Sequence, residues 1–292
     1  MRGYSGAASA VPAYPPPVIS ETLCRIETCY DGIARAQARV ESYGPLVLFV
    51  KDGPGWPLYA RPAPPGDRSA TVEDIAVVRA RQRELGVPEA FEWVHEIAPD
   101  LLPAAESSGL AVLRAPLLVL DPTALPPAAA PDPVVRLLDP GSDTYPRDLA
   151  VCRAVGAVGF GNPGTGDGPA GPAERDAALQ PLDPDLVRSE TEREAAGAVT
   201  RAVIESDDGA VATAVLLRSG DAAEIAGVAT LPAARRRGLG GAVTTALARH
   251  ALDRGGEIVY LAAGSDEIAR VYERVGFRRI ATACIAEPEA TD

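Results

Sequence analysis

The stretch from Ala223 to Gly241 reads AEIAGVATLPAARRRGLGG. An apolar, β-prone run gives way to a short turn with three arginines. Two spaced glycines and an apolar-periodic segment follow. The first N–H groups of a helix have no intrahelical acceptor, and the helix dipole adds partial positive charge at the same end. Such a terminus binds anions. Glycine at 238 and 240 removes Cβ atoms that would hold a phosphate away from the backbone. Arg235, Arg236 and Arg237 add charge-assisted bonds to phosphate oxygens. The chemistry is that of holding a pyrophosphate. The dinucleotide fingerprint G-x-G-x-x-G fits poorly, because Gly238 and Gly240 lack a third glycine at the required spacing.

The surrounding elements are legible from period and punctuation. Val199–Ser206, Ala210–Arg218 and Ala223–Thr230 read as strands, with Gly209 and Gly220–Asp221 at hairpin turns. After the glycines, Leu239, Val243, Ala246, Leu247 and Ala251 keep a 3-4 spacing, which predicts one helix to about Asp253, stopped by Gly255–Gly256. Ile258–Leu261 reads as a short strand. Asp266–Val275 reads as a helix with acids in its first turn, and Phe277–Ile285 as a final strand pair. Upstream, Val134–Leu138 is a strand, and Arg147–Val158 and Asp183–Ala196 are helices. The Gly- and Pro-rich stretch Gly159–Ala173 lies between those helices as a lid or a loose loop.

With strand, R-x-x-G-x-G and helix in that order, Arg235, Gly238 and Gly240 resemble the coenzyme A signature of the GNAT (GCN5-related) N-acetyltransferases. Ala269–Phe277 (ARVYERVGF) is similar to that family's second block, about 30 residues on. The resemblance spans about Val134 to Glu287. It implies an α/β fold with a twisted mixed sheet, split at its centre by acetyl-CoA. It implies that Val228, Ala229, Arg235, Arg236, Arg237, Gly238, Leu239, Gly240 and Gly241 bind the cofactor, and that an amine is acetylated directly in a ternary complex. On that basis Glu224, fourteen residues before Gly238, is the candidate general base; a strand carboxylate that binds substrate ammonium or faces solvent is the alternative. The Val228 N–H is assigned to the acetyl carbonyl and its oxyanion. Tyr272 is assigned as the acid that protonates the leaving thiolate, against simple packing beside Ile268 and Val275. Ser265 stands where relatives bind the pantetheine arm, and an N-cap accounts for it equally well.

Asp121–Pro133 (DPTALPPAAAPDP) reads as a semi-rigid linker between residues 1–120 and 134–292. The first part ends helix (Thr71–Leu85), strand (Phe91–His95), helix (Pro99–Ser108), strand (Ala111–Leu120), as the second part does. That order suggests an internal duplication, two tandem GNAT-like acyl-CoA N-acyltransferase folds. Leu46–Val50 and Trp56–Tyr59 read as a hairpin around Asp52–Gly53, and Met1–Pro17 as a loose arm or strand entry. No R-x-x-G-x-G precedes the linker, and ARPAPPGDRSA occupies the place of a phosphate loop. The first part is therefore expected to bind no cofactor and to wall the substrate cleft, as in tandem enzymes similar to mycothiol synthase.

Bulk properties exclude several classes. A net charge of −12 disfavours nucleic acid. No apolar run reaches the ~20 residues of a membrane span, and no secretory signal opens the chain. Cys24, Cys29, Cys152 and Cys284 show no metal-ligand spacing with His95 or His250, so no metal is expected and a reducing cytoplasm is. Both histidines read as packed or half-exposed imidazoles. A small-molecule amine is the expected partner, and a homodimer is left open. An acetyl-CoA sensor without turnover, or an acyltransferase for a peptide or protein amine, are the alternatives.

Overall fold

A computed structural model describes residues 16–51, 53–55, 58–63, 69–126 and 133–289. In chain order the elements are α1 (Pro16–Arg35), β1 (Arg39–Tyr43), β2 (Leu46–Val50), β3 (Arg61–Pro62), α2 (Val72–Leu85), β4 (Phe91–Val94), α3 (Leu101–Ser107) and β5 (Leu110–Leu120). After a short 3-10 turn come β6 (Val135–Leu137), α4 (Tyr145–Gly161), α5 (Pro172–Ala177), α6 (Pro184–Ala195), β7 (Val199–Ser206), β8 (Gly209–Ser219) and β9 (Ala222–Thr230). A second 3-10 turn leads to α7 (Leu239–Asp253), β10 (Ile258–Ala262), α8 (Asp266–Glu273) and β11 (Phe277–Pro288).

One mixed sheet of eight strands runs β4-β11-β5-β10-β9-β8-β7-β6; β1-β2-β3 form a small second sheet. Of the large sheet's neighbouring strands, β9 and β10 pair in parallel and the other described pairs are antiparallel. The expected α/β mixed fold is what is observed. Its connectivity crosses the midpoint of the chain. β5, from before residue 121, lies between β10 and β11, and β4 extends the sheet beyond β11. Residues 121–126 are packed: the Asp121 N–H bonds the Gly276 carbonyl at 3.0 Å, and Arg249 bonds the Pro126 carbonyl at 2.6 Å.

Helices cover both faces. The largest core joins α4, α7 and α8 to one face of β7–β10, through Leu149, Val155, Ile225, Val243, Leu247 and Val259 among others. A second core joins α2 and α3 to β2, β4 and the end of β11. On another face α1 lays Leu23, Ile26, Cys29 and Tyr30 over Ala115, Leu117, Ala222 and Tyr260. Arg25 fastens α1 to the β8–β9 turn and the start of β10, through Asp221 and Glu257 at 2.5 Å each.

Two local expectations are corrected, and one helix is added. β2 pairs with β1, around Gly44, and with β3, and the described Leu58 and Tyr59 of its expected partner lie in no strand. Asp52, Trp56 and Pro57 lie outside the described residues, as does most of the Met1–Pro17 arm. Phe277–Pro288 is one long strand rather than a pair, because β5 offers it a continuous partner with a single irregularity at Arg279–Ala281. Pro16–Arg35, which showed no decisive signal in the sequence, is a helix.

Candidate active site

The site begins where β9 and β10 part. Their parallel ladder pairs Ile258 with Ala222, Val259 with Ala223 and Tyr260 with Glu224, and ends there. β10 continues against β5, while β9 runs on to Thr230 beside β8. From Ile225 onward β9 has no strand on its β10 side. Against β8 the register slips between Val215↔Ala226 and Thr213↔Ala229, and Gly227 within that slip has φ +60°. A bulge of this kind needs the left-handed conformation that glycine adopts without strain, and it re-aims the following backbone. Val228 is the residue it re-aims, beside the gap.

The gap opens into a cleft of about 830 Å³. Its walls include Ile225 to Thr230 of β9, Gly238 to Gly241, Ala262 and Gly264, and Ile268, Val271 and Tyr272 of α8. Val228, Ala229, Arg235, Arg236, Gly238, Leu239, Gly240, Gly241 and Tyr272 are thus brought together. Arg237 and Ser265 are not among the residues lining it, and neither is Glu224.

The cradle is a built anion site. Arg236 has φ +64° and Gly238 φ +75°. Left-handed geometry at a non-glycine residue is strained and collects at functional sites. Among the described residues, no backbone N–H from Arg236 to Gly241 has a hydrogen-bond acceptor; the ladder resumes with Ala242 donating to Gly238 at 2.9 Å. A Cβ added to Gly240 would meet nothing closer than Thr230 Oγ1 and Val228 Cγ1 at 3.8 Å. Protein packing therefore does not demand glycine there. The space belongs to the cleft, and a pyrophosphate fits what surrounds it: unpaired N–H groups, a helix N-terminus, and the Arg236 and Arg237 side chains, which form no ion pair among the described residues.

Arg235 does something other than its sequence reading. Its guanidinium donates to the carbonyls of Thr230 (3.2 Å), Gly166 (3.0 Å), Gly159 (3.0 Å) and Asn162 (2.6 Å). It ties the end of α4 and the segment after it to the end of β9. Thr165 of that segment bonds Glu267 at the start of α8. Of the Gly159–Ala173 stretch, residues 162–171 are therefore a strap across the cleft mouth, beside the exposed Phe160 at the end of α4. Arg235→Ala should speed amide exchange at 162–168 while leaving the salt dependence of acetyl-CoA binding unchanged. A shallower salt slope would return Arg235 to the phosphate.

Ser265 caps α8: its Oγ accepts from the Ile268 N–H at 3.2 Å. Ser265→Ala should cost about 1 kcal/mol of stability and leave acetyl-CoA affinity within about twofold. A tenfold loss of affinity would assign it to the pantetheine arm.

Tyr272 is buried, with its ring edge-on to Phe277 at 6.3 Å. Burial pushes its phenol up to about 12, so it stays protonated through the physiological range. Its hydroxyl has no hydrogen bond among the described residues, yet it is not sealed from the cleft.

Glu224 stands at the vertex of the splay, on the opposite face of β9 from Ile225, by strand alternation. It faces α1. Burial, with Glu92 beside it, pushes its carboxyl up to about 8 against the opposing pull of Arg61 and of the nearby Tyr30 hydroxyl, which lies beyond normal hydrogen-bond length. These neighbours come from distant stretches of chain. Arg61, 2% exposed, bonds Glu92 at 2.5 Å and Glu27 at 2.8 Å, and its guanidinium lies 4.4 Å from the Tyr30 ring centre. Tyr30 meets Tyr260 edge-on at 5.1 Å. The one available signal was a charge inside each of two apolar runs, Arg61 after Ala60 and Glu92 in Phe91–Val94.

Among the described residues no group of His, Cys, Asp and Glu could hold a metal, and no helix is long and apolar enough to cross a membrane. His250 lies on α7 with Nε2 3.4 Å from Thr200 Oγ1.

Residues 202–286 match the FR47-like protein family. Among solved structures, a GCN5-related N-acetyltransferase from Kribbella flavida is similar over 92% of this chain and 96% of its own, with TM-score 0.66 and 24% identity. A GNAT-family structure from Novosphingobium aromaticivorans follows at TM-score 0.52 and 19% identity, over 89% and 95% of the two chains. A tandem GNAT protein from the clavulanic acid biosynthesis pathway aligns at TM-score 0.52 and 16% identity, over 85% and 79%. A comparison with curated proteins returns no match. The fold is that of the GNAT N-acetyltransferases.

Proposed function

We propose that this GNAT-fold chain is an acetyl-CoA-dependent N-acetyltransferase acting on a small-molecule amine. The observation that carries this reading is the run of unpaired N–H groups from Arg236 to Gly241, beside a cleft that ends at the β9–β10 vertex. The pyrophosphate would lie on those N–H groups. The pantetheine arm would follow the free edge of β9 toward the vertex, and the Val228 N–H would polarise the acetyl carbonyl. Acetyl-CoA supplies the activated acyl group; the chain supplies position and proton traffic.

The attacking nitrogen must be neutral. Glu224, once ionised, takes its proton, directly or through a water, at the face opposite the cleft wall. A carboxyl poised near 8 is ionised in part at neutral pH and holds an abstracted proton well. Tyr272, protonated in that range, donates to the departing sulfur. The first part of the chain serves the acceptor side through α1, β3 and β4, and the strap narrows the mouth against water.

Thiol release from acetyl-CoA in the presence of an amine panel tests the activity. Tyr272→Phe is expected to lower kcat by about 10- to 100-fold with acetyl-CoA affinity unchanged. Unaltered kcat would leave Tyr272 a packing residue. Binding of acetyl-CoA with no thiol release for any amine would instead favour an acetyl-CoA sensor.

A further inference from the structure

The face of the sheet under α1 gathers more carboxyl groups than cations. The ionisable groups that meet there are Glu27 from α1, Arg61 from β3, Glu92 from β4 and Glu224 from β9, with the neutral side chains of Cys29, Tyr30 and Tyr260 around them. Three carboxylates thus face one guanidinium. Arg61 donates from its two terminal nitrogens to Glu92 and Glu27, and its Nε has no partner among the described residues. The second oxygen of Glu27 accepts from the Val94 N–H at 2.5 Å, whereas that of Glu92 has no partner among the described residues. Buried carboxylates in excess call for a cation.

A second observation points into the same place. The hydroxyls of Tyr30 (6% exposed) and Tyr260 (0%) are buried without a hydrogen-bond partner. Each has two lone pairs to offer an ammonium. The Glu27 and Glu92 side chains keep 15% and 18% exposure, so the carboxylate edge of the cluster meets solvent.

The acetylated nitrogen cannot be the missing cation, since it must be neutral when it attacks and Glu224 is the group that deprotonates it. We infer that the acceptor carries a second cationic group, which is not acetylated, and that Glu92 and Glu27 bind it with the Tyr30 and Tyr260 hydroxyls. The substrate class is a diamine, or an amine bearing a further ammonium, amidinium or guanidinium. The choice of reacting nitrogen rests on the acetyltransferase reading; the cation site does not. Burial also raises the Glu92 carboxyl, with Arg61 opposing. Near neutral pH the empty site therefore holds part of its charge as protons, and a dication entering it releases them.

The test is calorimetric titration of the full chain with α,ω-diamines of three to six carbons and with the n-alkylamines of the same lengths, in two buffers of different ionisation heat. The best diamine should bind at least about 30-fold tighter than its monoamine, with proton release. Glu92→Gln should bring that ratio within about threefold, and Glu27→Gln should lower it as well, each variant keeping the wild-type circular dichroism spectrum. Equal binding of diamines and monoamines, no binding of any diamine, or a preference that survives both substitutions overturns the inference. Thiol release on the same amines separates the two claims. Monoamines turned over as fast as diamines would reject the second cation and keep acetyl transfer. Diamine binding without thiol release would keep the cation site and reject acetyl transfer.

Discussion

Replacing Glu224 by Gln is expected to lower kcat by about 10²- to 10⁴-fold and to erase the inflection near pH 8 in the kcat profile. Only the ionised carboxylate can take the proton from the amine. With the carboxyl at about 8, the ionised fraction grows about tenfold per pH unit below that value and levels above it. Stability must move the other way. Between the ordinary carboxylate value of 4.5 and about 8, the folded chain holds a proton that the unfolded chain has released. The unfolded state binds fewer protons there, so stability falls as pH rises through that window. The loss is on the order of 3 kcal/mol, allowing for the carboxyl's residual solvent contact. Glu224→Gln removes this term. The variant should melt higher than wild type at pH 9 and about level with it at pH 4. A rate loss without the stability crossover would mean that Glu224 acts from a solvated position, as a substrate-binding carboxylate.

The second large effect is expected at Gly240. Its backbone is helical and its missing Cβ faces open cleft, with protein atoms no nearer than 3.8 Å. Gly240→Leu should fold, since glycine inside a helix is itself unfavourable by about 0.5–1 kcal/mol relative to Ala. The new side chain would occupy the space above the free N–H groups, and acetyl-CoA affinity should fall by more than about 100-fold. Gly238 is a poorer test. At φ +75° any other residue strains the cap, so lost binding there would mix loss of fold with loss of site. Calorimetry of Gly240→Leu beside the wild type, with thermal melts of both, checks the prediction. Undiminished affinity would place the pyrophosphate elsewhere.

What was legible in the sequence was local. The 3-4 spacing from Leu239 to Leu252 and the glycines at 209 and 220 carry their structure within a few residues, and β7, β8, β9 and α7 stand within a residue or so of where they were expected. The cradle is likewise a short-range object, a turn and the first residues of a helix. Glu224 and Tyr272 could be singled out, but their surroundings could not. Arg61, Glu92 and Glu224 come from three stretches of chain, and only the sheet order β4-β11-β5-β10-β9 sets β4 and β9 under one helix. The insertion of β5 between β10 and β11 is a long-range pairing with no trace in residue spacing. The contacts of Arg235 were hidden for a similar reason: its type suits phosphate, and the carbonyls of Thr230, Gly159, Asn162 and Gly166 that it also meets come from β9, the end of α4 and the segment after it.

The most direct test of the cradle is amide hydrogen exchange of the wild type, with and without saturating acetyl-CoA, resolved at 236–241. Free, these N–H groups have no protein acceptor and should exchange fast. Bound, they should be protected together, along with the β9 edge near Val228, while α6 and β7 stay unchanged. Protection elsewhere, with 236–241 still exchanging fast under saturating ligand, would contradict the assignment of the pyrophosphate to this helix terminus.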